Sequence, residues 1–142
     1  MYKGHLVLAL ATLLAIAIAS AQPKGEIEVY IYGELACSYC AIMKERLEGA
    51  YGPSAVVFKD ITTEEYMEEF LELYDMLDLG ESVNIPLIVV LDDGIPRVVA
   101  VGEKEIEEIE RGLEDSEILG GLVVIELGGE ERVVRNEEKI ER

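Results

Sequence analysis

Two cysteines three residues apart, Cys37 and Cys40, stand where an alternating strand pattern gives way to a run of helix formers. That junction constrains the fold more than any other feature of the chain. Glu26-Ile27-Glu28-Val29-Tyr30-Ile31-Tyr32 alternates polar and apolar residues and then turns β-branched and aromatic, as a strand does. Gly33 ends it, and a short loop leads to Cys37-Ser38-Tyr39-Cys40. From Cys40 to about Gly49 the residues favour a helix, with Ile42, Met43 and Leu47 available for its buried side. Tyr51-Gly52-Pro53-Ser54 is a turn, and Ala55-Val56-Val57-Phe58 reads as a continuous apolar strand buried on both faces. A strand, a helix and a second strand in succession imply a parallel pair joined by a crossover.

Beyond that unit, Thr62-Thr63-Glu64-Glu65 has the spacing of a capping box, with Thr62 facing Glu65. It opens a helix with apolar residues at Tyr66, Phe70, Leu73, Tyr74 and Leu77, and Gly80 closes it. Ile85-Pro86 precedes a third strand, Leu87 to Leu91. Asp92-Asp93-Gly94 is a hairpin turn, and Arg97 to Val101 is the returning strand. Gly102 leads into a helix with Ile106, Ile109 and Leu113 inward. The expectation is an α/β domain of order β-α-β-α-β-β-α with a central mixed sheet. An apolar strand from Leu122 to Leu127, a Gly128-Gly129 turn and a strand near Val133 add a C-terminal hairpin against a sheet edge. The division is 1–21 as an apolar N-terminal helix, 25–115 as the domain, 116–135 as the hairpin extension and 136–142 as a charged tail.

The first 21 residues read as a targeting segment. Lys3 supplies a basic start, Leu6 to Ala19 is apolar or small apart from Thr12, and Ala19-Ser20-Ala21 is a signal-peptidase pattern. Two readings stay open: a signal cut after Ala21, or an uncleaved anchor whose 16 residues from Leu6 to Ala21 are just short of a usual span. Either places the folded part outside the cytoplasm, secreted or held to the membrane only by this segment. The chain has 30 acidic and 12 basic residues. That balance excludes a phosphate-binding face for nucleic acid and docking on anionic headgroups. Abundant Glu, with Gln22, Asn84 and Asn136 as the only amides, is the composition of a thermophile's protein.

The chemistry lies in the cysteines, the only two in the chain. At the start of a helix, Cys37 faces unpaired N–H groups and the positive end of the helix dipole, which favour thiolate, the nucleophilic form. A spacing of three lets Cys40 attack a mixed disulfide formed at Cys37. Two other readings use the same residues. One is a metal- or iron–sulfur-binding module formed by pairing chains, since His5, the only histidine, lies in the targeting segment. The other is an inert scaffold whose disulfide closes too short a loop to stabilise much.

Taken together, the strand–loop–Cys37-Ser38-Tyr39-Cys40–helix opening, Ile85-Pro86 before a strand, and the closing hairpin, Gly102 and helix resemble the thioredoxin-like superfamily, and within it the glutaredoxin type. The match covers roughly Glu26 to Glu114. The resemblance implies that Cys37 is the attacking thiolate and Cys40 the resolving thiol. It also implies a cis Pro86 that lies against the pair, with the backbone of Ile85 pairing to an extended substrate. Tyr39 is the accessible aromatic beside the pair, while Tyr30 and Tyr32 read as core. Three departures stand out: Ile31 occupies the place of a buried acid, Ala36 that of a tryptophan, and Tyr39 that of a histidine found in strong oxidants. They imply a less depressed Cys37 pKa and a less oxidising couple. The function expected is thiol–disulfide exchange on protein dithiols and disulfides, with no cofactor, no metal, and a membrane redox partner to reset the pair.

Overall fold

The computed structural model describes residues 25–135, so the apolar N-terminal segment and the charged tail lie outside the described residues. Six strands form one sheet: β1 (Ile27–Gly33), β2 (Val56–Asp60), β3 (Leu87–Asp92), β4 (Ile95–Val101), β5 (Leu122–Ile125) and β6 (Glu131–Val134). Three helices connect them: α1 (Ser38–Tyr51), α2 (Glu64–Met76) and α3 (Ile106–Leu119). The spatial order is β2-β1-β3-β4-β5-β6. Strands β1 and β2 pair in parallel, β3 runs antiparallel to both of its neighbours, and β4 pairs in parallel with β5. The first four strands with their three helices form a thioredoxin-like arrangement.

The C-terminal segment extends that sheet. After α3, β5 returns in parallel beside β4, and β6 folds back against it as the new edge. The crossover β4-α3-β5 repeats the logic of β1-α1-β2, a helix on a face joining parallel strands. Helix α3 runs to Leu119, five residues past the Glu114 at which the sequence resemblance ends, and Gly120 caps it in the left-handed region at φ 68°.

Side chains alternate along the strands and build two cores. One holds Val29, Ile31, Val90, Val98 and Ile125 against Met43 and Leu47 of α1 and Ile109 of α3. The other holds Tyr32, Val89, Val99 and Val124 against Phe70 and Tyr74 of α2. The β3–β4 hairpin turns on Asp93 and Gly94, both at positive φ (50° and 78°), as a two-residue turn requires. A register shift at Val90/Leu91 sets Pro96 opposite Leu91, so β4 begins at Ile95 rather than Arg97.

Three local expectations are corrected. Val57 is 44% exposed because β2 is an edge strand and not a strand buried on both faces. Ile42 is 37% exposed, since α1 starts at Ser38 and turns Cys40, Met43 and Leu47 inward. The cap of α2 is Thr63, not Thr62. Both threonine hydroxyls instead donate to Asp60, Thr62 to its carboxylate and Thr63 to its carbonyl, and hold the β2–α2 turn. A true capping box occurs at α3, where Glu105 and Glu108 satisfy each other's backbone N–H groups.

Candidate functional site

Strand β1 ends at Gly33 for a steric reason. A Cβ there would lie 2.5 Å from Cys40 Sγ, so only glycine lets the strand end pass the buried cysteine. The chain then turns through exposed Glu34, Leu35 and Ala36, and the Cys37 N–H donates to Glu34 O at 3.1 Å. Cys37 caps α1 with extended backbone (φ −80°, ψ 116°), and its carbonyl takes the first helical bond from Ala41. Its Sγ accepts the Cys40 N–H at 3.2 Å, doing with sulfur what a capping oxygen does elsewhere. The helix therefore aims an otherwise unpaired N–H at the outer sulfur.

The two thiols, both free, occupy unlike surroundings. Cys37 is partly exposed, whereas Cys40 is fully buried. Burial is the largest cause that pushes the Cys40 thiol up to about 12, and its hydrogen bond to Cys37 adds to the rise. A backbone hydrogen bond with Glu34 opposes that rise, while the Glu34 charge assists it. Ile31 is buried on the same sheet face, in the core formed with α1, so no carboxylate stands at that strand position to take the Cys40 proton.

The antiparallel register brings the other expected residues to the same end of the sheet. Tyr32 pairs with Leu87, which sets Pro86 one step beyond the ladder, level with Gly33. The Ile85–Pro86 peptide is cis, Pro86 is buried, and its carbonyl accepts the Gly102 N–H at 2.8 Å. Ile85 is partly buried and lies outside the ladder. Tyr39 is 55% exposed, with Leu35 (79%) in the loop before the pair and Val83 (54%) in the loop before Pro86. Tyr32 lies in the α2 core and Tyr30 packs against it, away from the α1 face.

Sequence reading missed two polar features. On the α2 face, Lys59 Nζ lies 2.7 Å from Glu69 Oε2, and the Tyr32 hydroxyl donates to the same oxygen at 2.8 Å. The ammonium also sits 4.4 Å from the Tyr30 ring centre. Burial disfavours the Lys59 charge, but hydrogen bonds to Glu69 and Tyr32 outweigh it and raise its pKa. The bonds that Glu69 accepts from Lys59 and Tyr32 lower its own pKa. Near the cysteine helix, Lys104 is buried, its Nζ donating to the carbonyls of Val101, Glu103 and Leu127. It joins the end of β4 to the turn after β5, and burial lowers its pKa. A lone lysine in Gly102-Glu103-Lys104-Glu105 gives no sequence signal for this role.

Among the described residues, no group of three or more His, Cys, Asp or Glu is placed to hold a metal ion. No helix among them is long and apolar enough to cross a membrane. No protein-family model matches the sequence, and no curated protein matches it. Among solved structures, the chain is similar to the crystal structure of StoA from Bacillus subtilis. The two are 12% identical, over 63% of this chain and 84% of that one, with a TM-score of 0.34. The thioredoxin-like arrangement rests on the strand order and connections of this chain itself.

Proposed function

We propose that the protein is a thiol–disulfide oxidoreductase acting on protein substrates through Cys37 and Cys40. One observation carries the reading: an outer sulfur caps the helix and reaches solvent, while an inner thiol three residues later is buried and held protonated. The outer group suits a nucleophile, and the inner one suits a thiol kept in reserve.

In the reducing direction, the Cys37 thiolate attacks one sulfur of a substrate disulfide. The Cys37–substrate bond forms as the substrate S–S bond breaks, and the second substrate sulfur leaves as thiolate. Cys40 then loses its proton and attacks Cys37 Sγ. This releases the first substrate sulfur and leaves a Cys37–Cys40 disulfide, with two electrons passed to the substrate. With Ile31 beneath it, Cys40 has the departing substrate thiolate or water as proton acceptor. Oxidation is the same path reversed, and a second dithiol or disulfide partner resets the pair.

The exposed Tyr39, the Ile85 backbone and Pro86 form the substrate contact, where an extended segment adds beside β3. The apolar N-terminal segment supports an extracytoplasmic setting, secreted or anchored, with a membrane redox carrier as the resetting partner. A Cys40→Ser variant tests the reaction. It should accumulate mixed disulfides on Cys37 that dithiothreitol releases and that Cys37→Ser abolishes. An empty trap with active disulfide substrates would overturn the proposal in favour of an inert scaffold. Metal content and subunit number of protein purified without oxygen test the metal-module reading.

A further inference from the structure

The α2 side of the sheet holds a groove of about 320 Å³ that the redox chemistry does not use. Leu73 and Met76 of α2 form one wall, Val99 and Leu122 line it from β4 and β5, and Val134 closes the β6 side. Arg97 is the one charged residue among these linings. It is partly buried on β4 and, among the described residues, has neither a hydrogen bond nor a carboxylate partner. The chain carries 30 acidic residues, and Arg46, Arg111 and Arg132 each reach a carboxylate. An unpaired guanidinium at the rim of an apolar groove therefore sets Arg97 apart from these three arginines.

We propose that the groove binds an amphiphile with an apolar chain and a carboxylate head. The carboxylate bonds to Arg97, and the chain lies between α2 and strands β4 and β5. Arginine suits this task because its planar fork meets a carboxylate with two parallel bonds and sheds water more readily than an ammonium. The size is at the lower end of ligand sites, which combine mainly apolar walls with a few polar groups that fix orientation. The chain's own end is the competing occupant, because residues 136–142 follow shortly after Val134. Those residues offer a single apolar side chain, Ile140, among six charged or polar ones. One isoleucine matches the long apolar lining poorly. The site is separate from the cysteines, so either reading stands if the other fails.

The test is calorimetric titration of the full chain with dodecanoate below its micelle concentration, with dodecanol as the headless control. Dodecanoate is expected to bind one to one. Arg97→Gln should weaken it about tenfold or more, the worth of a charge-assisted pair, without altering dodecanol binding. Arg97→Lys should recover part of the loss. The circular dichroism and urea midpoint of Arg97→Gln should match the parent, which shows that the variant is folded. Three results would overturn the proposal: no dodecanoate binding, binding indifferent to Arg97→Gln, or binding seen only once residues 136–142 are deleted. The last would assign the groove to the chain's own end.

Discussion

Along the four residues of β5, neighbouring side chains meet two different surroundings. Val123 and Ile125 are 1% exposed beneath α3, whereas on the opposite face Val124 is fully buried but Leu122, at the groove, stays partly exposed. The contrast runs across the sheet. Helices α1 and α3 both cover one face and leave a dry core in which Met43, Leu47 and Ile109 are fully buried. The other face has only α2, and the segment after it reaches over β5 and β6, where the Arg132 guanidinium donates to Leu77 O. Adding β5 and β6 extended the sheet by two strands without adding a helix, and α3 covers β5 on one side alone. The closed side supplies the burial that keeps Cys40 protonated. The open side carries the Lys59, Glu69 and Tyr32 group and the groove at Arg97.

That comparison can be broken at β5 itself, where the effect should be largest. Ile125→Ala, on the closed side, should cost about 2–5 kcal/mol, because the cavity it leaves has nowhere to collapse. Leu122→Ala should cost well under that, about 1 kcal/mol or less, since part of its side chain already meets solvent. Urea denaturation of both variants decides it, and equal losses would mean that the faces are equally closed. A smaller effect is expected from Gly33→Ala. Its added Cβ meets Cys40 Sγ and should cost about 1–3 kcal/mol by overpacking, with a fall in exchange rate from the displaced sulfur. Gly49→Ala, where the space is open, should be neutral or slightly stabilising.

Burial above all holds several acids protonated on both faces, among them Cys40 on the closed side and Tyr32 on the open side, both pushed up to about 12, with Tyr51 and Tyr74 raised for the same reason. A raised pKa means that the folded state retains a proton the unfolded chain has released. The associated stability is complete below the ordinary values of 9.0 and 10.0 and is lost as pH rises toward 12. Reduced protein should therefore weaken between pH 9 and 12. Cys40→Ser should remove one part of that slope and Tyr32→Phe another. Chemical denaturation across that range checks both. A small loss is expected from Lys59→Met, about 0.5–1 kcal/mol, because its partner Glu69 is still partly in water.

Much of this was legible in sequence because local pattern and tertiary role agree. The alternation from Glu26 to Tyr32, the periodic Phe70, Tyr74 and Leu77, and the Asp93-Gly94 turn each specify one local structure that the sheet then uses. The cysteine site was visible for the same reason, as a strand end and a helix start with sulfur between them. Illegible features depend on neighbours far along the chain. Val57 and Ile42 are apolar in segments where only the final strand order and helix rotation decide exposure. Thr62 and Thr63 both fit a cap, and the carboxylate of Asp60 decides between them. Lys59 finds Glu69 ten residues later on α2, and Lys104 finds the Leu127 carbonyl on the turn after β5. Gly33 marks a strand end in sequence, but its necessity emerges only where α1 brings Cys40 against it.

The division of labour between the two sulfurs can be measured on the reduced protein by iodoacetamide labelling, resolved by residue with mass spectrometry from pH 6 to 11. Cys37 should label at least about a hundredfold faster than Cys40 at pH 8, because a buried thiol with a pKa near 12 offers almost no thiolate there. Equal rates at the two positions, or faster labelling of Cys40, would contradict an outer nucleophile backed by a protected inner thiol.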